Sequence, residues 1–221
     1  MENKPLTLVL TATEVRVLGS LIEKTITTPE YYPLSLNALT NACNQKSNRD
    51  PVVSYDEQTV LDAMDGLREK KLGWVIKKAD SRVLKYGHIF PEAFHLTPGE
   101  VAAICAIMLR GPLTPGEIRA CSGRMYNFSS LTEVEEALQQ LIDNEQGSLA
   151  IKLPRQPGRK EARYAHLLSG EVIIEQLEAD PAVAETILVA SRAKLEEEIL
   201  ELRRELDDLR KDLNEFKKQF E

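Results

Sequence analysis

Apolar positions along the first 170 residues keep a helical period for most of their length and switch twice, briefly, to strand-like stretches. Val15, Leu18 and Ile22 are spaced i, i+3, i+7, and so are Val101, Ile104 and Met108, so each set puts one apolar stripe on a helix face. Both stripes follow the same start signal. In Thr11-x-x-Glu14 and Thr97-x-x-Glu100 the hydroxyl accepts from a free helical N–H, while the glutamate reaches back to the N–H of the capping residue. A short second helix is expected after Pro33-Leu34, opened by Ser35, and after Pro112-Leu113, opened by Thr114-x-x-Glu117. The third begins near Asp56 or Ser130 and carries Val60, Met64 and Leu67, or Val134, Leu138 and Leu141, at i, i+4, i+7. Ser54-x-x-Glu57 is a rival start two residues earlier. Gly73 to Lys78, a polar turn at Ala79-Asp80-Ser81 and Arg82 to Tyr86 then predict a β-hairpin. Leu149 to Leu153, a longer turn from Pro154 to Lys160 and Ala162 to His166 predict another.

The two halves are copies of one pattern. The capping boxes lie 86 residues apart, Pro33-Leu34 matches Pro112-Leu113 at 79, Val60, Met64 and Leu67 match Val134, Leu138 and Leu141 at 74, and Tyr86-x-His88 matches Tyr164-x-His166 at 78. The offset changes between apolar blocks and not inside them, as length differences in loops require. Three short helices followed by a hairpin is the winged helix-turn-helix order. The expected fold class is therefore mainly α with small β-hairpins (α+β): winged-helix domains at residues 8–90 and 91–170, then a helical linker and C-terminal coiled coil over 171–221.

In that last segment Gly and Pro all but vanish after Pro181, and Leu195, Ile199, Leu202, Leu206, Leu209, Leu213, Phe216 and Phe220 alternate spacings of four and three. With Leu195 at d, acidic Glu198, Glu205 and Asp212 fall at g and basic Arg203, Arg210 and Lys217 at e. Parallel pairing sets opposite charges face to face, so a parallel homodimer is expected, against the alternative of a helix folded back on its own domains.

Composition narrows the setting. Of 221 residues, 43% are hydrophobic and 29% charged, and the longest apolar run, Val101 to Leu109, falls well short of the ~20 residues that span a bilayer. Met1 to Pro5 lacks a signal-peptide pattern, so a soluble, cytoplasmic protein with no membrane association is expected. Cys43, Cys105 and Cys121 are odd in number and lack CxxC spacing, which suits buried free thiols. The net charge of −7 sits entirely in residues 171–221, which hold 15 acids and 8 bases; residues 1–170 hold 20 of each.

The string from Thr27 to Asn37 (Thr-Thr-Pro-Glu-Tyr-Tyr-Pro-Leu-Ser-Leu-Asn), followed by Ala42 to Pro51 (Ala-Cys-Asn-Gln-Lys-Ser-Asn-Arg-Asp-Pro), resembles the bacterial YceH family of uncharacterised proteins. The resemblance covers residues ~8 to 170 and implies two tandem winged-helix domains; it implies no activity.

The candidate chemistry is electrostatic. In a DNA-binding winged helix the third helix enters the major groove and the wing touches backbone phosphate or the minor groove. The first third helix carries Asp56, Glu57, Asp62, Asp65 and Glu69 against Arg68, Lys70 and Lys71, and the second carries Glu133, Glu135, Glu136, Asp143 and Glu145 without a base, so both repel phosphate. The hairpins are basic: Lys77, Lys78, Arg82 and Lys85 in one, Lys152, Arg155, Arg159, Lys160 and Arg163 in the other. Lys46 and Arg49 add donors in the loop before the first third helix. These cations are nucleic-acid-binding candidates, of the salt-sensitive, weakly specific kind. Solvated hairpins and loop-stabilising polar groups explain them equally well. His88 and His166 each follow a tyrosine by two residues, and neither has a neighbour at ligand spacing except His95, which belongs to the next helix start, so no metal site is expected. No phosphate loop, GxSxG or HExxH occurs, and neither enzymatic activity nor a cofactor is expected. DNA is the first partner class. A scaffold that holds proteins through the acidic helices and the heptad seam is the second.

Overall fold

The structure is a computed structural model and describes residues 8–77, 83–155 and 161–170. The heptad residues Leu195 to Phe220 lie outside the described residues, as do Lys78, Arg82, Arg159 and Lys160. What is described is mixed: α-helices with two small antiparallel hairpins. The first repeat runs α1 (Ala12–Thr27), a 3-10 turn (Pro29–Tyr31), α2 (Leu36–Cys43), α3 (Glu57–Glu69), β1 (Gly73–Lys77) and β2 (Leu84–His88). A single-turn α4 (Phe90–Ala93) leads to α5 (Pro98–Arg110), α6 (Pro115–Ser122), α7 (Leu131–Ile142), β3 (Ala150–Lys152) and β4 (Tyr164–His166).

The helix starts follow the side chains that satisfy their free N–H groups. Thr11 with Glu14, Thr97 with Glu100 and Thr114 with Glu117 form reciprocal capping boxes. Asp56 accepts from the Thr59 N–H at 2.7 Å, which decides the start of α3 against Ser54.

The hairpins pair Gly73 with His88 through Lys77 with Leu84, and Ala150 with His166 through Lys152 with Tyr164. A third backbone segment joins each sheet at the same repeat position, Leu34 on Tyr86 and Leu113 on Tyr164. This matched bridge ties the segment before each second helix to the second strand of its hairpin.

The central helices differ from expectation in one respect. The helical period predicts one buried stripe on each, yet α1 is buried continuously from Glu14 to Glu23 and α5 from Gly99 to Leu109. The second face of each helix is covered by the other, so the repeats meet along α1 and α5 inside one compact unit. Gly19 permits the close approach, since a Cβ there would come to 2.9 Å from Leu109, and the Cys105 thiol lies 3.4 Å from the Gly19 carbonyl. The apolar run Val101 to Leu109 is the sequence signature of that all-round burial.

No helix among the described residues is long and apolar enough to cross a membrane.

Candidate functional site

The basic candidates divide into groups that the fold has already used and groups that it leaves facing solvent. Arg49 is used. Its guanidinium is fully buried and grips Glu23 at both ends, Nη1 to Oε1 at 3.2 Å and Nη2 to Oε2 at 2.7 Å, and it also donates to the Ala42 carbonyl. Such fork-to-fork geometry is the strong form of the interaction, and it withdraws Arg49 from the nucleic-acid candidates. Arg163 is half-used: Nη1 donates to the Pro112 carbonyl at 2.6 Å and Nη2 pairs with Glu117 at 2.9 Å. It braces the hairpin on α6, and Glu117, although partly buried, titrates below its ordinary value because of the Thr114 N–H and Arg163.

Lys46, Lys77, Lys152 and Arg155 are exposed, Lys85 is half-buried, and none of the five forms an ion pair with a described residue. The first hairpin does not present its lysines together. Lys77 stands opposite Leu84 and Lys85 opposite Ile76, so strand alternation sends the two to opposite faces. In the second hairpin Lys152 stands opposite Tyr164 and its ammonium lies 5.7 Å from that ring's centroid.

Asp62, Asp65 and Glu69 on α3 and Glu135 and Glu136 on α7 are exposed, and the exposed base Arg68 is paired with Asp65 at 2.8 Å. The outward sides of both third helices are therefore acidic.

The family-resembling string before α2 has a structural task that its sequence did not disclose. Tyr32 packs edge-on against Trp74 with centroids 6.4 Å apart, and its hydroxyl accepts from the His88 N–H at 2.8 Å. Trp74 lies over Gly87, where any Cβ would collide with the indole, and its Nε1 donates to the His88 carbonyl at 3.1 Å. The string thus clamps the first hairpin.

His88 also serves structure. Thr25 donates its hydroxyl to the Leu21 carbonyl, so its oxygen accepts from His88 Nε2–H at 3.1 Å, while the Phe90 N–H donates to Nδ1 at 3.3 Å. That set of bonds fits the neutral ring. Burial holds both His88 and His166 down to about 4. Among the described residues no group of three or more His, Cys, Asp or Glu side chains is placed to hold a metal ion.

Comparison with known proteins matches residues 10–159 to the family model described as "Protein of unknown function, DUF480". The UPF0502 protein of Opitutus terrae is 51% identical over 195 residues, covering 88% of this chain and 84% of its own. The UPF0502 protein of Pelobacter propionicus is 48% identical over 219 residues, covering 97% and 99%, and that of Geobacter sulfurreducens is 48% identical over 220 residues, covering 97% and 99%. Relatives aligned almost end to end, and a family model spanning both repeats, place the chain in this uncharacterised bacterial UPF0502 (DUF480) family.

Proposed function

We propose that each repeat is a winged helix-turn-helix domain and that the chain is a binding protein, not an enzyme, which holds nucleic acid by its phosphates through both hairpins. The observation that carries the reading is the distribution of uncommitted cations. Lys77 and Lys85 on one hairpin, Lys152 and Arg155 on and just beyond β3, and Lys46 before α3 keep their charges free of any described carboxylate. Phosphate contacts of this kind supply affinity and position without reading sequence. The acidic outward sides of α3 and α7 support the same restriction, because a carboxylate-lined helix is repelled from the major groove. The heptad seam read in the sequence supports pairing of two copies, which doubles the contacts.

Fluorescence anisotropy of the full chain with labelled duplexes of unrelated sequence tests the proposal. Similar affinities that weaken steeply with salt are expected; strong preference for one sequence, or no binding in dilute salt, refutes it. The exposed acids of the third helices favour a second reading, a protein-holding scaffold, and that reading gains if nucleic acid fails to bind.

A further inference from the structure

The second repeat carries a groove of about 350 Å³ between the start of α5 and the side of α7. Its walls include Glu100, Tyr126, Phe128, Glu133, Glu136 and Gln140, which bring three carboxylates and no cation. Tyr126 and Phe128 meet edge to face with centroids 4.8 Å apart and give the groove an aromatic wall. Both oxygens of Glu133 are held, Oε1 by the Tyr126 hydroxyl at 2.7 Å and Oε2 by the Ser129 hydroxyl and N–H at 2.7 Å, so its charge is fixed in place. Glu100 is 9% exposed. Its Oε2 accepts from the Thr97 N–H at 3.1 Å in the capping box, and its Oε1 accepts nothing from any described residue.

The first repeat shows what such a site takes. A groove of about 360 Å³ lies at the matching place, lined by Thr11, Glu14, Thr59, Asp62 and Ala63, the counterparts of Thr97, Glu100, Glu133, Glu136 and Ala137. There Glu14 also gives Oε2 to its capping residue, at 2.7 Å, but Oε1 is held by the Lys70 ammonium at 2.5 Å. Gly66 makes room for that carboxylate, since a Cβ at that position would strike it. In the second repeat Gln140 stands where Gly66 does, and Asn144 replaces Lys70 and donates instead to the Phe94 carbonyl at 3.0 Å. One repeat supplies its own lysine to the capping glutamate. The other has the glutamate, two further carboxylates and an aromatic wall, without the lysine.

We infer that the groove between α5 and α7 binds a lysine side chain presented by a basic segment of a partner protein. The ammonium lies against Glu100 Oε1 and Glu136, displaced from the place of Lys70 because Gln140 fills the room that Gly66 leaves open, and the methylene stem packs on Tyr126 and Phe128. The exposed Glu135 and Glu136 on α7 offer complementary charge to basic residues flanking that lysine. The site is independent of the hairpin cations and repels phosphate, so it serves a different partner from the one proposed for the wings.

The test uses the full chain and a short fluorescein-labelled peptide of lysine, serine and glycine, titrated by anisotropy. Saturable binding is expected, together with its loss when the lysines are acetylated. Glu136→Lys, at an exposed position, should weaken binding by about tenfold or more, the effect of ~1.4 kcal/mol. Gln140→Gly combined with Asn144→Lys rebuilds both the glycine and the lysine of the first repeat and should compete with the peptide from within. Asp62→Lys, in the first groove, should leave the affinity unchanged. Absence of saturable binding overturns the inference. So does indifference to Glu136→Lys, or an equal loss with Asp62→Lys, because either outcome assigns the binding to diffuse negative charge, including that of residues 171–221. Equally tight binding of a free polyamine overturns the assignment to a protein partner.

Discussion

Replacing Arg49 with methionine separates a buried structural cation from a ligand contact. The substitution keeps most of the stem volume and removes a guanidinium that is 0% exposed, leaving the Glu23 carboxylate, 11% exposed, without its bidentate partner. Breaking one side of a buried ion pair typically costs ~3–5 kcal/mol, because an uncompensated charge stays inside. Two features moderate that cost here: Lys24 remains 3.7 Å from Glu23 and is itself partly exposed, and the carboxylate retains some contact with water. A loss of ~2–4 kcal/mol is expected, a large part of the ~5–15 kcal/mol that typically stabilises a fold. Urea unfolding followed by far-ultraviolet circular dichroism at fixed pH measures it from the midpoint, provided the slope is unchanged. Adding Glu23→Gln to Arg49→Met removes the stranded charge and should restore part of the loss, so the double variant is more stable than the sum of the singles. A cost within ~0.5 kcal/mol, as for an ordinary surface site, refutes the reasoning and returns Arg49 to the ligand candidates.

Other consequences can be measured separately. His88 and His166 titrate near 4 in the fold, below the ordinary 6.5, so the unfolded chain takes up protons first as pH falls; stability from the neutral rings is complete above about 7 and is lost between about 6.5 and 4. Ring resonances of both histidines in proton NMR should show those low midpoints, and ordinary midpoints would remove the argument for buried neutral rings. Gly87→Ala pushes a methyl into the chain's single tryptophan, and should red-shift Trp74 emission and cost ~1–3 kcal/mol; an unchanged spectrum and melting temperature would contradict the packing of Trp74 on that strand. Light scattering should give about twice the 24.8 kDa chain mass for the intact protein and a monomer after truncation at Ser191, whereas a monomeric intact protein at tens of micromolar removes the dimer.

Local signals carry most of the element order. A capping box needs only residues three apart, so Thr11 with Glu14, Thr97 with Glu100 and Thr114 with Glu117 are legible in the sequence alone, as are the N-caps Ser35, Asp56 and Ser130. The hairpins are legible in kind but not in extent: β4 starts at Tyr164 and not at Ala162, and beyond it the Leu153 N–H still donates to the Arg163 carbonyl at 2.8 Å. Short segments without a hydrophobic period, the 3-10 turn Pro29–Tyr31 and α4, give no such signal. Charge roles are least legible. Glu23 and Arg49 lie 26 positions apart, and only the chain path through α2 and its following loop brings them together. A weak clue exists in the polar positions Arg16, Ser20 and Glu23, all buried on one side of an otherwise apolar helix. The acidic groove of the second repeat is hidden for the same reason, since its aromatic wall comes from the loop between α6 and α7 and Glu100, which offers it one carboxylate oxygen, uses the other in a capping box.

The salt dependence of duplex binding by a wing variant tests the central proposal most directly. Lys77→Ala, Lys85→Ala, Lys152→Ala and Arg155→Ala together remove exposed or half-buried cations that make no ion pair with a described residue, so the fold should survive. Each phosphate contact contributes about 0.9 to the slope of log affinity against log salt, so loss of these groups should flatten the slope by roughly 2–3 and weaken unrelated sequences alike. An unchanged slope, or a loss confined to one sequence, contradicts phosphate binding by the wings.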